Sequence, residues 1–147
     1  MAQPVDRDQL AAMGHALWPD ASIEEHGFEL APILEGKPPG TCRSSFWYRR
    51  VTTVCWLAFL EVGLRSHADG CDIATPVGYV EGWFVSAGHR RKGIGAALLA
   101  AAQDWASAHG WVEIASDTWI DNEGSQRAHE ALGFEVVDRC VNYRKRL

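Results

Sequence analysis

The spacing of apolar residues changes along the chain between a helical and a strand-like period, and these changes predict its elements. Leu10, Met13 and Leu17 recur every three to four residues, which predicts an amphipathic helix that ends at Trp18-Pro19. Val77–Val85 is instead a mostly apolar run of strand length. The pattern therefore predicts a helical N-terminal part and a buried central strand.

Residues that cap helices precede two helical patterns in the N-terminal part. Asp6 and Gln9 have the spacing of a capping box, and so do Ser22 and Glu25. The second helix is expected to end or kink at Pro32, because proline has no N–H to donate. Two short helices are thus predicted before the first strand.

Further apolar runs, bounded by glycine and polar residues, complete the prediction. Residues 46–50 and 54–65 are rich in aromatic and β-branched residues, which is typical of a hairpin. The remaining elements are expected to be strands at 112–118 and 136–144 and helices at 93–109 and 124–132. The order ααβββαβαβ predicts one α+β domain over residues 1–147 with a mixed sheet.

A basic turn with two glycines leads from the central strand into the next helix. Arg90, Arg91 and Lys92 precede Gly93 and Gly95. The N–H groups at a helix N-terminus attract anions, and glycine lets the backbone approach a phosphate closely. An alanine follows the second glycine, and no third glycine stands three residues later, so kinase-type and dinucleotide-binding loops do not match. The stretch predicts a pyrophosphate site of another kind.

Composition narrows the possible functions. A net charge of −5 argues against a general nucleic-acid binder and suits a cationic small molecule. The four cysteines form no C-x-x-C pair, so we expect free thiols in a cytoplasmic protein and no metal site. No apolar stretch approaches the roughly 18 residues of a membrane-spanning helix, so no membrane partner is expected.

Two spaced motifs resemble the signatures of the GNAT superfamily of N-acetyltransferases. The first is Arg90-x-x-Gly93-x-Gly95, and the second is Asn122-x-x-Ser125-x-x-x-His129-x-x-x-Gly133-Phe134, with histidine in place of the usual tyrosine. A predicted helix and strand separate them, as in that superfamily. The resemblance implies the GNAT fold, a mixed and mostly antiparallel sheet whose central parallel strands splay apart between flanking helices.

Several other segments are similar to the aminoglycoside 6′-N-acetyltransferases within that superfamily. They are Leu17–Asp20, Gly70–Asp72, Glu81–Val85, Ala115–Thr118 and Arg139–Lys145. The resemblance implies acetyl-coenzyme A as the cofactor, direct acetyl transfer to an amino group of an antibiotic, and a homodimer. The residues that it implies for coenzyme binding are Trp83, Phe84, Val85, Arg90, Arg91, Lys92, Gly93, Ile94, Gly95, Ala96, Asn122, Ser125 and His129.

Two carboxylates are the expected contacts of a polyamino acceptor. Alternation along the central strand predicts one shared face for Tyr79, Glu81, Trp83 and Val85. The resemblance implies that Glu81 and Asp117 bind the acceptor. Glu81 is also the candidate base, because a protonated amine must lose a proton before it attacks. The resemblance adds Trp18 and Asp72 to the acceptor site.

The group that protonates the departing thiol has two candidates. His129 stands where the superfamily has tyrosine, and Tyr143 lies on the predicted last strand. Either side chain can donate to sulfur. Purely structural interpretations also stay open, namely an Asx-turn for Asp117 and a buried salt bridge for Glu81. At the level of function, the alternatives are a GNAT enzyme for another small-molecule or protein amine and a non-catalytic acyl-coenzyme A-binding module.

Overall fold

The fold consists of four helices and four strands in the part of the chain that a computed structural model describes, residues 2–36, 44–52 and 55–147. The helices are α1 (Arg7–Leu17), α2 (Ile23–Leu34), α3 (Ile94–Ala108) and α4 (Glu123–Glu130). The strands are β1 (Ser44–Thr52), β2 (Cys55–Arg65), β3 (Val77–Val85) and β4 (Ile114–Ser116). Short 3₁₀ helices lie at Pro4–Asp6 and Ala87–His89. No helix in these described ranges is long and apolar enough to cross a membrane.

The strands form one sheet in the order β1-β2-β3-β4. β1 pairs with β2 and β2 with β3 in antiparallel fashion, whereas β3 and β4 are parallel. The parallel pairing ends at Val80 and Ser116, although β3 continues to Val85. A gap therefore opens between β3 and β4 beyond this last pair. The predicted mixed, mostly antiparallel sheet with splayed parallel strands is confirmed.

The helices cover the two faces of the sheet. On one face, which we call the α3 face, the buried core comprises Leu57, Ala58, Leu60, Val62, Val80, Ile94, Leu98, Leu99 and Ala102. On the other, the α1–α2 face, the buried core comprises Leu10, Ala11, Met13, Leu30 and Phe59. Because side chains alternate along β2, Leu60 and Phe59 enter different cores. Each core gains its stability by removing these apolar side chains from water.

A β-bulge interrupts the β2–β3 pairing next to the gap. Glu61 pairs with Gly82 and Val62 with Val80, so Glu81 is the extra residue of β3. The bulge shifts the alternation by one position. Trp83 consequently packs against the core of the α3 face, together with Val80.

The expectation that Tyr79, Glu81, Trp83 and Val85 share one face is therefore wrong. Trp83 and Val85 pack against the core of the α3 face. Tyr79 and Glu81 lie on the α1–α2 face, where both contact Arg65. A bulge is a matter of strand pairing, so the alternation rule could not anticipate it.

Most predicted elements are confirmed with small shifts of their ends. The predicted hairpin corresponds to β1 and β2, the central strand to β3, and the long helix to α3, with Gly110 at a φ of +80° just after it. The capping box of α2 is also confirmed. Glu25 N–H donates to Ser22 Oγ at 3.2 Å, and Ser22 N–H donates to Glu25 Oε2 at 2.7 Å.

Three local predictions are corrected. Asp6 Oδ2 accepts a hydrogen bond from Gln3 N–H at 2.8 Å, so the first capping interaction lies one turn before the predicted Asp6–Gln9 box. Pro32 does not end α2, which continues to Leu34. The strand predicted at 112–118 is limited to β4, because its pairing with β3 covers three residues only.

The strand predicted at 136–144 is not formed. Val136, Val141 and Tyr143 are 57%, 74% and 93% exposed, and the residues from 134 onward have no regular structure. A strand needs a neighbour to accept and donate its backbone hydrogen bonds. Within the described ranges, no other strand is paired with this segment.

Candidate active site

The turn between β3 and α3 is shaped by two residues in the left-handed conformation. Arg91 has a φ of +58° and Gly93 a φ of +76°. The first hydrogen bond of α3 runs from Ala97 N–H to the Gly93 carbonyl at 3.0 Å. The N–H groups that precede it and lack an intrahelical acceptor belong to Ile94, Gly95 and Ala96. With the dipole of α3 they form an anion-binding end.

Basic side chains brace this turn. Arg90 Nε donates to the Val85 carbonyl at 2.9 Å, and Lys92 Nζ donates to the Gly88 carbonyl at 3.0 Å. Arg90, Arg91 and Lys92 are all exposed. Arg90 and Lys92 therefore hold the turn in shape, and all three side chains add positive charge beside the free N–H groups.

The two glycines of the turn serve different purposes. Gly93 supplies the left-handed φ, whereas a Cβ on Gly95 would lie 2.9 Å from Cζ2 and 3.1 Å from Nε1 of Trp83. Gly95 is thus required by the indole as well as by any phosphate. The buried Nε1–H of Trp83 has no hydrogen-bond partner among the described residues. A bound ligand that accepts a hydrogen bond there would remove the cost of this unmade bond.

Helix α4 closes the α3 side of the gap. Asn122 Oδ1 accepts from Ser125 N–H at 3.1 Å and so caps the helix. The His129 ring meets the rings of Trp83 and Phe134 edge to face, with centroid distances of 5.2 and 5.1 Å. The predicted coenzyme-binding residues Trp83 and Val85 therefore lie with those of α3 and α4 on the α3 side of the gap. Phe84 is the exception, because it packs against the core of the α1–α2 face beside Phe59.

Both ring nitrogens of His129 have partners. Nδ1 lies 2.8 Å from the Ser125 carbonyl, and Nε2 lies 3.0 Å from Ser116 Oγ. A carbonyl only accepts, so the Nδ1 atom carries the proton. In the neutral ring Nε2 then accepts from the Ser116 hydroxyl. Neutral His129 therefore has no N–H directed into the gap.

The α1–α2 side of the gap carries a linked set of charged and aromatic groups. Arg65 donates through Nε to Glu81 Oε1 at 3.0 Å and through Nη2 to Glu81 Oε2 at 2.5 Å. Its guanidinium carbon lies 3.4 Å from the centroid of the Tyr79 ring. Tyr79 O–H donates to Asp117 Oδ1 at 2.8 Å. The two predicted acceptor carboxylates thus belong to one network.

Burial raises the pKa of two groups on this side. It raises the pKa of Glu61 to about 7, and the negative charges of Glu81 and Glu29 add to the effect. Burial and the hydrogen bond to Asp117 also raise the pKa of the Tyr79 phenol. Tyr79 therefore stays a hydrogen-bond donor at neutral pH, while Glu61 exchanges its proton near neutrality.

The Trp18 ring packs against the bulge of β3 on this side of the site. A Cβ on Gly82 would overlap the Trp18 ring, which also lies 6.2 Å from the Phe59 ring. A cavity of about 80 Å³ lies below Trp18, with Phe59 and Glu61 among its lining residues. The glycine before Trp83 is therefore needed for close packing across the bulge.

Asp72 is placed by the loop before β3. Its N–H donates to Glu113 Oε2 at 2.8 Å, and its Oδ1 accepts from Ala74 N–H at 2.9 Å. The carboxylate is exposed. Asp72 is therefore held beside Glu113, the residue directly before β4, and Asp117 directly follows the same strand.

Tyr143 is a predicted site residue that the structure does not bring to the gap. Its side chain is 93% exposed in the C-terminal segment. It was predicted to lie on the last strand, at 136–144, and that strand is not formed. Its proposed part in protonating the thiol therefore finds no support in the geometry of this single chain.

The residues present fit the coenzyme that the family resemblance implies. The free N–H groups of α3 and the positive charge suit a pyrophosphate, and the unpartnered Trp83 N–H suits an acceptor on the same ligand.

No cluster of three metal-binding side chains occurs in the described part of the chain. Cys71 and Cys140 are free thiols, and the side chains of Cys42 and Cys55 lie outside the described residues.

Three residues of the site were not predicted from the sequence. Arg65 follows no motif, and only the β2–β3 register places it beside Glu81. Ser116 lies inside the segment Ala115–Thr118, whose similarity to the aminoglycoside 6′-N-acetyltransferases was the one sequence signal that pointed to it. Glu61 is an acid in an apolar strand, a costly placement that marks a functional candidate.

Comparison with known proteins reveals relatives over nearly the whole chain. A model of the acetyltransferase (GNAT) family matches residues 8–134. The aminoglycoside N(6′)-acetyltransferase type 1 of Serratia marcescens is 41% identical over 141 residues, which cover 95% of this chain and 92% of the relative. The protein of the same name from Klebsiella aerogenes is 35% identical over 150 residues, with coverage of 100% and 97%.

Solved structures give the same result. The aminoglycoside N-acetyltransferase AAC(6′)-Iy in complex with CoA has a TM-score of 0.87 at 30% identity, with coverage of 99% of this chain and 92% of that one. AAC(6′)-Iy in complex with the bisubstrate analog CoA-S-monomethyl-acetylneamine has a TM-score of 0.86 at 30% identity, with coverage of 99% and 95%.

Proposed function

The chain belongs to the GNAT acetyltransferase family, and from that premise we propose that it is an acetyl-coenzyme A-dependent aminoglycoside 6′-N-acetyltransferase. One observation carries the proposal. The gap between β3 and β4 has an anion-binding helix end on one side and the exposed or half-exposed carboxylates of Glu81 and Asp117 on the other. A phosphate-bearing donor and a cationic acceptor can thus approach the same opening from opposite sides.

On the donor side, the chain supplies binding and polarisation. Acetyl-coenzyme A supplies an activated thioester when bound. The N–H groups of Ile94, Gly95 and Ala96 and the neighbouring cations hold its pyrophosphate. The backbone of β3 beyond Val80 is paired with β2 on one edge and has no β4 partner on the other. The N–H groups that point away from β2 are therefore available to the rest of the ligand and to the negative charge that develops on the carbonyl oxygen.

On the acceptor side, carboxylates attract and deprotonate the amine. Glu81 and Asp117 bind ammonium groups, and Glu81 receives the proton that the attacking amine loses. Trp18 and Asp72 border the same region. Acetylation converts an ammonium into a neutral amide, which removes a charge that the drug uses to bind RNA. The proposed consequence is antibiotic resistance.

The proposal includes a homodimer in the cytoplasm. The residues 136–144 have the pattern of a strand but are exposed, and a second copy can provide the neighbour that they lack. The free thiols Cys71 and Cys140 suit a reducing compartment. Light scattering during size-exclusion chromatography tests the dimer. A monomeric mass at micromolar concentration would contradict it.

A turnover assay tests the function directly. The purified protein is mixed with acetyl-coenzyme A and tobramycin or kanamycin, and thiol release is followed with a chromogenic disulfide. We expect saturable release that disappears with a matched aminoglycoside carrying a hydroxyl instead of the 6′ amine. Release with polyamines or peptides, but not with aminoglycosides, would favour a GNAT enzyme for another amine. Coenzyme binding without any release would favour a non-catalytic acyl-coenzyme A-binding module.

A further inference from the structure

We propose that the hydroxyl of Ser116 delivers the proton to the departing sulfur, and that His129 positions this hydroxyl and supplies the proton. The inference deepens the proposed acetyltransferase function and rests on it. It replaces the direct histidine or tyrosine donor that the family resemblance implies. The argument starts from the place of Ser116 in the sheet.

Ser116 lies at the point where the two parallel strands separate. It forms the last β3–β4 pair with Val80, on the α3 face. Its Oγ lies 3.4 Å from the Val80 carbonyl and 3.0 Å from His129 Nε2. The hydroxyl is therefore at the apex of the gap, on the side where Trp83 offers its unpartnered N–H.

His129 is held so firmly that its ring cannot turn toward another partner without losing several contacts. Nδ1 bonds to the Ser125 carbonyl, and the ring edges meet Trp83 and Phe134. None of these contacts is charged. In its neutral form the ring is an acceptor at Nε2, so His129 itself offers no proton to a ligand. The group that it does reach is the Ser116 hydroxyl.

Protonation of His129 reverses the direction of this hydrogen bond. Nε2–H of the imidazolium donates to Ser116 Oγ, so the serine O–H no longer points at His129. Its remaining acceptors are the Val80 carbonyl, at a long 3.4 Å, and a sulfur bound in the gap. In the transfer, Oγ gives its hydrogen to the sulfur and takes the hydrogen of Nε2, so an S–H bond forms and the Nε2–H bond breaks. Ser116 ends unchanged, and His129 ends neutral. Solvent returns a proton to Nε2, balanced by the one that the acceptor amine releases.

The aromatic neighbours fix the direction of the hydrogen bond between His129 and Ser116. Trp83 and Phe134 meet the His129 ring edge to face and keep Nε2 directed at Ser116. A serine hydroxyl alone is a weak acid, and its hydrogen bond from the imidazolium lets it pass on a proton that it could not release by itself. His129 is accordingly a positioning residue and proton source, whereas Ser116 is the group that touches the sulfur.

The first test uses the protein without substrates. ¹⁵N NMR of the histidine rings reports which nitrogen carries the proton. We expect a neutral His129 protonated at Nδ1, with an Nε2 signal that shifts in Ser116→Ala. The matched control is Ser66→Ala, which removes a serine–histidine hydrogen bond of 3.1 Å to His67 at the surface and leaves the His129 signal unchanged. A proton on Nε2 of neutral His129, or no shift in Ser116→Ala, overturns the proposal.

The second test separates catalysis from binding. Ser116→Ala is expected to lower kcat at least about tenfold, with an unchanged Kd for coenzyme A by calorimetry, while Ser116→Thr restores kcat to within about threefold. An unchanged kcat in Ser116→Ala, or a kcat loss that the threonine hydroxyl does not restore, contradicts it. A wild-type protein that releases no thiol would refute the proposed function as well, and the NMR result distinguishes the two failures.

Discussion

Arg65 binds both carboxylate oxygens of Glu81. The two hydrogen bonds, at 3.0 and 2.5 Å, form a bidentate ion pair between β2 and β3, and the guanidinium carbon lies 3.4 Å from the centroid of the Tyr79 ring. The acid proposed to bind the acceptor is thus already paired with a cation. An incoming ammonium must compete with Arg65 for this carboxylate.

Replacing Arg65 is therefore expected to strengthen acceptor binding. Arg65→Met removes the competing charge and keeps the length of the side chain, so KM for the aminoglycoside should fall at least about threefold at low ionic strength. The difference should shrink in high salt, because the interaction is electrostatic. Steady-state kinetics at two salt concentrations measure both effects.

Arg7→Met is the control for this prediction. Arg7 forms an exposed pair with Asp8 on α1, away from the gap, and its loss should leave KM unchanged. A raised KM in Arg65→Met would show instead that Arg65 holds Glu81 in the geometry that the acceptor needs.

Removing the charge of Glu81 or Asp117 should weaken acceptor binding, the opposite of the effect expected for Arg65→Met. Glu81→Gln and Asp117→Asn preserve shape, and each is expected to raise KM for the aminoglycoside about tenfold while coenzyme A binding stays intact. Glu81→Gln should also lower kcat if Glu81 takes the proton. Initial rates and calorimetry give the two readings. Wild-type kinetics in both variants would leave only structural roles for these carboxylates.

Coenzyme binding should depend on the glycines of the turn. Gly95→Asp brings a Cβ against Trp83 and a negative charge beside the anion site, so Kd for coenzyme A should rise at least about tenfold, or 1.4 kcal/mol. Gly88→Ala is the matched control, since a Cβ there meets nothing within 4 Å. Calorimetry measures both variants after circular dichroism has shown that they fold. Equal affinities would remove the pyrophosphate site from this turn.

The buried Glu61 should make stability depend on pH. Its pKa of about 7 lies above the unfolded value of 4.5, so the folded protein keeps a proton between these pH values that the unfolded chain loses. The contribution is complete below pH 4.5 and is lost as pH rises through 7. Glu61→Gln should therefore unfold like the wild type near pH 4.5 and be more stable by about 3 kcal/mol at pH 8, since each pKa unit corresponds to about 1.4 kcal/mol.

Thermal unfolding at several pH values checks this prediction. For a chain of this size the gain corresponds to roughly 6–12 °C in Tm. Glu24→Gln, at an exposed position of α2, serves as the control and should shift Tm by little at either pH. An equal gain for Glu61→Gln at pH 4.5 and pH 8 would show that packing, not titration, is responsible.

The sequence by itself determined the elements whose signals are local. Apolar periodicity placed β3 and α3, and the spacing from Ser22 to Glu25 identified the cap of α2, because these features depend on neighbours a few residues apart. The glycine turn could likewise be recognised from residue types and spacing. Its family resemblance then indicated a coenzyme site before any contact was known.

Only the tertiary structure decided which side chains meet. The bulge at Glu81 places the side chains of Trp83 and Glu81 on opposite faces of the sheet, and the β2–β3 register brings Arg65 to the Glu81 carboxylate. The packing of α4 on β4 joins His129 to Ser116. Strand register, bulges and helix packing depend on contacts between residues far apart in the chain, and no local pattern encodes them. The unformed strand at 136–144 has the same cause, because its pattern does not specify a neighbour.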